Sequence, residues 1–454
     1  MRASSNIIKL KKGLNIKLRG LPERVLPKCP TPTSYAIKPA DFHGLTPKML
    51  LAEGSAVKAG TPVFCDKYRP EIRFASPVSG TLQAVRRGER RKILEAVIVP
   101  DGQGASEQFA VPDLKTASRG EVVEAMLRAG AWPFLVQRPY GVIADPQAAP
   151  KAIFISGFDT APLAADADYL VNGEGAPFQK GVDALRKLTA GSVHLSLCAD
   201  YPANNTFEYA KGVEVHRVRG PHPAGNVGVQ IHHIDPINKG EVVWTIAPQH
   251  VVALGRLFAT GAYDVAKVVA LVGSEVKKPR YYRMVAGTSL SGLAELVNDR
   301  GEHKRVISGN VLTGANVGIN GYLGFYSNEV TVIPEGDRYE PLGWLMPRLK
   351  KLSMSRSYLS WLTPARQYAL NTNLNGGQRA FVVNGQYERV LPMDILPVFL
   401  IKAAIAGDVE RMEQLGIYEV VEEDLALCEF VCASKIDVQH LLRKGIDLMR
   451  AEAG

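Results

Sequence analysis

Ala152-Ile-Phe-Ile-Ser-Gly157 and Ser192-Val-His-Leu-Ser-Leu-Cys198 are the two runs that set the fold class of this 454-residue chain. Both are short, apolar and partly β-branched, as buried strands are. Between them Phe178, Val182, Leu185 and Leu188 recur at i, i+4, i+7 and i+10, one face of a helix stopped by Gly191. Residues 204–211 then read as a short helix and 213–218 as a third strand. A fourth strand follows at 242–246, and a helix at 248–259 carries Val251, Leu254 and Phe258 on one face. Strand alternating with helix predicts βαβ units and a parallel sheet, an α/β domain over residues 113–262.

Outward from this centre the pattern changes, so the chain is expected to be a multidomain α/β protein around a Rossmann-like unit. Gly54-Ser-Ala-Val-Lys-Ala-Gly60-Thr-Pro-Val-Phe, then Ala75-Ser-Pro77-Val-Ser-Gly80-Thr-Leu, resembles the barrel-sandwich fold of biotinyl and lipoyl carrier domains. Residues 1–112 are assigned to it. In those carriers a hairpin-tip lysine is modified, and Asp66-Lys67 sits in that region. The insert before Pro77 is longer here, and Tyr68, Arg69 and Pro70 replace small residues, so Lys67 is read as an exposed hairpin residue. Residues 263–338 resemble a β-grasp (SLBB-like) unit: strands at 265–272, 280–286 and 304–308, a helix at 289–298 capped by Ser289, and a Gly-rich segment to Gly324. Residues 339–454 are assigned to a helical domain with Val438, Leu442, Ile446 and Met449 on one stripe.

Composition narrows the function. Apolar residues make up 46% and charged residues 22%, the balance of a soluble globular protein. No run reaches the roughly 18 apolar residues of a membrane span, and the first ten residues lack a signal-peptide core. A cytoplasmic protein is expected. Five scattered cysteines do not form a secreted disulfide framework. The formal charge of +9 is concentrated early: residues 1–100 hold 19 Lys or Arg against 7 Asp or Glu, so the rest sums to about −3. A knot at Arg86, Arg87, Arg90, Arg91 and Lys92 suits an anionic lipid surface or an acidic partner; without one it is a solvated face. Nucleic acid is not expected, because no reader motif accompanies the charge.

Each candidate chemistry has a plain alternative. A phosphate cradle needs glycines between strand and helix. Asn172-Gly173-Glu174-Gly175-Ala176 lacks the third glycine, sets a carboxylate where phosphate would lie, and is followed by Pro177; it reads as a loop. An iron–sulfur cluster normally takes four thiolates, whereas Cys428 and Cys432 share one helix face by themselves and read as buried packing residues. His216, His222, His232 and His233 crowd one segment without zinc spacing; on a strand His232 and His233 point apart, so no metal is expected. Neither a nucleophile elbow nor a Walker loop is present. Gly130-Ala-Trp132-Pro-Phe134-Leu-Val-Gln-Arg138-Pro-Tyr140 is an apolar loop with three aromatics and one cation. It suits a flat quinone headgroup, or an ordinary packed linker. Trp132, Phe134, Arg138 and Tyr140 are the candidate quinone contacts, and residues 86–92 the candidate docking surface. No catalytic, cofactor or metal residue is assigned.

Taken in order, Lys9-Leu-Lys-Lys-Gly13-Leu, the Gly80 turn, Gly220-Pro-His-Pro-Ala-Gly225, Val272-Gly…Pro279-Arg280-Tyr, Gly309-Asn-Val-Leu-Thr-Gly314 and Leu427-Cys428-Glu-Phe-Val-Cys432 resemble the A subunits of Na+-translocating NADH:quinone reductases. The resemblance spans almost the whole chain. It implies a peripheral subunit on the cytoplasmic face of the bacterial inner membrane, within a six-subunit assembly and beside the membrane-embedded B component. By family, FAD, FMN, riboflavin and iron–sulfur belong to other subunits, with ubiquinone or menaquinone as a ligand here. A more distant likeness links the chain to the C subunit of the Rnf complex and the NADH-oxidising subunit of complex I, which hold FMN on a GGAGFPT-type loop. Here Trp132 and Pro133 occupy that loop, Ser156-Gly-Phe-Asp159 replaces the acidic segment, and two cysteines remain in the tail. The rivals are a lipoyl or biotin carrier and a flavin-binding oxidoreductase subunit.

Overall fold

The structure, a computed structural model, describes residues 7–299, 303–337, 351–354, 356 and 358–453. Residues 338–350, which include the start of the expected helical domain, lie outside the described residues. The central sheet has seven strands in the order Ile8–Lys9, Glu214–Arg219, Val193–Cys198, Ile153–Ser156, Val243–Thr245, Val136–Arg138, Val142–Ile143. The first five run parallel, Val136–Arg138 runs against them, and Val142–Ile143 pairs antiparallel to it. Ile153, Phe154 and Ile155 are all buried, because helices cover both faces.

On one face the helices Gly175–Leu188 and Pro248–Thr260 lie against each other. Two glycines set their separation. A Cβ on Gly255 would fall 1.7 Å from the Pro177 carbonyl oxygen, and one on Gly181 2.1 Å from that of Val251. The expected stripe of Phe178, Val182, Leu185 and Leu188 is fully buried. The helix stops earlier than Gly191, since Thr189 already has extended backbone. The opposite face holds Val227–Ile234, a helix where the sequence reading set His232 and His233 on a strand. Its Ile231 packs with Ala152, Phe154 and Val243. His232 and His233 are therefore successive helix residues, not opposed strand residues.

The N-terminal unit is two small sheets, Tyr35–Ile37, Ile93–Pro100, Gly80–Arg87, Ala56–Val57 and Pro47–Met49, Pro62–Asp66, Arg73–Ala75. Gly80 has φ +157°, and a Cβ there would lie 2.0 Å from the Val99 carbonyl oxygen, so the turn demands glycine. Lys67 is an exposed turn residue 5.5 Å from the Tyr68 ring centroid. The β-grasp-like unit is a five-stranded sheet, Arg280–Val285, Ala266–Val272, Glu329–Pro334, Lys304–Ser308, Ala315–Asn316. Its expected α-helix is a 3-10 segment, Ser291–Leu296, and Ser289 pairs with the Ser291 hydroxyl instead of capping it. The C-terminal helices Pro397–Ala406, Glu422–Val431 and Val438–Ala453 bury Val438, Leu442, Ile446 and Met449 in the main core.

Candidate functional site

A cavity of about 780 Å3 opens where these units meet. Ser156 and Thr245 place it at the carboxyl ends of the parallel strands, the position at which open α/β sheets present their loops. The N-terminal unit adds Lys38, Asp41 and Phe42, the β-grasp unit adds Asn310 and Phe325–Glu329, and the C-terminal helices add Glu422, Glu423 and Arg443. Thus four regions far apart in sequence build one wall.

Its charge is held by pairing. Arg138, 3% exposed, donates from Nη1 to Asp424 Oδ2 at 2.7 Å and from Nη2 to Glu423. Asp424 also accepts the Val421 N–H at 3.0 Å and so caps the helix Glu422–Val431. Arg443 is clamped on both oxygens of Glu422. Lys267 sits behind Phe325, its Nζ donating to the carbonyls of Phe325 (2.8 Å) and Ser327 (2.7 Å). Burial pulls its pKa down to about 7 against the opposing charge of Asp41.

Three of the carboxyls are raised, those of Asp159, Glu329 and Glu423. Asp159 lines the cavity, and desolvation there pushes its pKa up despite the Ala161 N–H bond at 2.8 Å. Glu329 accepts the Ala165 N–H at 2.6 Å and is pushed well up by burial and then by Asp159. Glu423 is pushed up to about 7 by burial, with Asp424 and Asp159 adding to the rise while Arg138 pulls it down. His222, whose Nδ1 lies 3.1 Å from Thr160 Oγ1, is pulled down to about 4 by burial and is neutral at pH 7. The cavity therefore combines aromatic walls with acidic groups and paired cations.

The amides of the loops beside the cavity are largely taken by the protein itself. The amides of Gly130, Ala131, Phe134 and Leu135 already bond the carbonyls of Leu127, Met126, Ala131 and Trp132, and Pro133 has none to offer. In the Gly309–Gly314 loop, Asn310 Oδ1 takes the amides of Leu312 and Thr313. Glu174, ahead of the long helix, is paired with Arg256.

Of the expected quinone contacts, Phe134 and Arg138 reach the cavity. Trp132 does not, which corrects the reading of the aromatic loop. It is fully buried, its ring edge-on to Trp244 at 5.5 Å and its Nε1 donating to the Ala144 carbonyl at 2.8 Å. Tyr140 also turns away from the wall, toward Tyr418 at 6.5 Å. Arg86 pairs with Glu95 at 2.9 Å, and Arg87, Arg90, Arg91 and Lys92 form an exposed hairpin tip away from the cavity wall. Cys428 and Cys432 are buried, the first within the helix and the second at its C-cap. The histidine segment disperses: His232 meets Glu419, His233 meets the Pro392 carbonyl, and His216 meets His194. Glu329, Lys267, Glu423 and Asp424 were missed, since their partners lie 58 to 286 positions away and leave no local spacing.

Three family models match in chain order. They are described as the NqrA N-terminal barrel-sandwich hybrid domain over residues 8–101, the NqrA second alpha/beta domain over 117–263, and the NQRA C-terminal domain over 268–318. The chain is 41% identical over 453 residues to the A subunit of the Na(+)-translocating NADH-quinone reductase of Neisseria meningitidis strain FAM18, covering 98% of this chain and 100% of that one. The corresponding A subunits from Hahella chejuensis and Pasteurella multocida are each 39% identical, again over 98% of this chain and 100% of theirs.

Proposed function

Because the chain belongs to the family of Na+-translocating NADH-quinone reductase A subunits, we propose that it acts as the peripheral subunit of that complex, carries no redox cofactor, and accepts a quinone headgroup in the four-sided cavity. The observation that carries this reading is the cavity itself, lined with aromatic carbon from half-buried Phe325 and the almost wholly buried Phe134 and Phe158, beside the paired cations Arg138 and Arg443. No helix among the described residues is long and apolar enough to cross a membrane. A tag-free preparation should show no flavin absorbance and should bind a short-tailed ubiquinone saturably. Phe325→Leu should weaken that binding several-fold, as loss of one aromatic contact of about 1 kcal/mol requires. A yellow chain holding FMN, or unsaturable partitioning of quinone, overturns the proposal.

Docking on the membrane subunits, the B component foremost, on the cytoplasmic face of the inner membrane completes the reading. It is supported by the exposed basic hairpin, which suits an anionic lipid surface, and by the exposed Leu396, Phe399 and Ile405 along one C-terminal helix. Reversing Arg86, Arg87, Arg90 and Arg91 to Glu should lower recovery of the chain with the membrane subunits several-fold at low salt. Equal recovery would take the hairpin out of the docking surface.

A further inference from the structure

The parallel strands Val193–Cys198 and Glu214–Arg219 bring His194 beside Glu214 and His216, which follow it by 20 and 22 positions in the chain. His194 pairs with Glu214 in register and Ser196 with His216, so His194, Glu214 and His216 stand on the same face of the sheet. His194 Nδ1 lies 2.9 Å from His216 Nε2 and 3.6 Å from Glu214 Oε2. Among the described residues this is the one group of three His, Cys, Asp or Glu side chains whose ligand atoms all fall within 4.8 Å of one another.

We propose that these three side chains bind one divalent transition-metal ion of the zinc class, with water completing the shell. Two imidazole nitrogens and one carboxylate oxygen, with a fourth position open, form a donor set suited to Zn2+. The spacing fits as well. A tetrahedron with bonds of about 2.0–2.1 Å has edges of about 3.3 Å. The observed 2.9 and 3.6 Å bracket that value, and the Glu214–His216 separation, within 4.8 Å, closes by side-chain rotation.

The surroundings prepare the ligands. The His194 ring is stacked on Phe154 at 4.5 Å, which fixes its plane. Ser192 Oγ donates to Glu214 Oε1 and leaves Oε2 turned toward the imidazoles. Burial lowers the pKa of both histidines, so both are neutral near pH 7. Binding moves the facing proton to the far nitrogen of its own ring, so each imidazole stays neutral and no net proton is released. The Glu214 side chain is 59% exposed, which gives the ion a path from solvent. The three side chains lie apart from the cavity wall, so the bound ion acts as a clamp between two strands, not as a reaction centre.

The test uses the tag-free full-length chain, stripped with EDTA and titrated with Co2+, then with Zn2+. The expected result is one equivalent of Co2+ with the visible absorption of a tetrahedral nitrogen–oxygen site, displaced by Zn2+. Zn2+ should also raise the unfolding midpoint. His216→Ala, at a half-buried position, should weaken binding at least tenfold while its unfolding midpoint in EDTA stays unchanged. Glu214→Gln should weaken it as well, and Cys198→Ser should leave it intact. Absence of stoichiometric binding, equal binding in His216→Ala, or a thiolate charge-transfer band lost in Cys198→Ser would overturn the proposal.

Discussion

Arg138→Met should destabilise the chain by about 3–5 kcal/mol, read as a large fall in the urea midpoint. The methionine keeps most of the stem but removes both ion pairs. Asp424 then remains buried with its cation gone, its oxygen contacts reduced to the Val421 amide, the bond that caps its helix. The loss should also depend on pH in a defined direction. Glu423 sits at about 7 with Arg138 pulling it down, so removal of the arginine raises it further. A carboxyl whose folded pKa exceeds its unfolded value near 4.3 favours folding when protonated. That contribution is present below the unfolded value and is lost as pH climbs through the folded one. The gap between variant and parent should therefore be wider at pH 8 than at pH 5. Equal gaps would mean that the carboxyls do not respond to Arg138. Adding Glu423→Gln and Asp424→Asn to the variant should restore part of the stability, since no buried charge is then left alone.

Trp132→Ala should cost about 3–5 kcal/mol, because it empties a fully enclosed indole site. Trp244 loses its edge-on neighbour, and the Ala144 carbonyl loses its donor. Trp132→Phe should cost clearly less, since it retains most of the apolar volume. Thermal unfolding of the two variants checks this. A surface aromatic that waits for a ligand would cost within about 0.5 kcal/mol on removal, and such a result would put Trp132 back on the cavity wall. The same substitution leaves Phe134 and Arg138 in place, so quinone binding to folded Trp132→Phe should be unchanged.

The central strands and the two long helices were legible because each is decided by its own period. Phe178 to Leu188 repeat as a helix repeats, and Ile153 to Ile155 are apolar on both faces as an interior parallel strand must be. The Val227–Ile234 helix was not, because Pro221, Pro223 and Gly225 just before it look like loop chemistry and it is only eight residues long. The 3-10 segment at Ser291–Leu296 was over-read as an α-helix from its apolar spacing alone.

The site divides along a similar line. Phe134 and Arg138, which line the cavity, share one short aromatic loop, and Trp132 was drawn in with them for the same reason. A sequence shows that three rings are neighbours in the chain. It does not show which of them faces inward, since that depends on a 3-10 turn, Trp132–Phe134, that points one ring into the core beside Trp244. The metal-ligand triad shows the converse. His216 stood out locally, while His194, the residue that faces it, sits one strand over.

Family, order of units, apolar stripes and the location of the excess positive charge were set by the sequence alone, because each depends on residue type and near-neighbour spacing. The cavity, the raised acids Asp159, Glu329 and Glu423, the Arg138 clamp and the His194–Glu214–His216 group were decided by the tertiary structure. Desolvation and charge pairing depend on distance in space, and the fold brings residues as far as 286 positions apart within hydrogen-bonding reach.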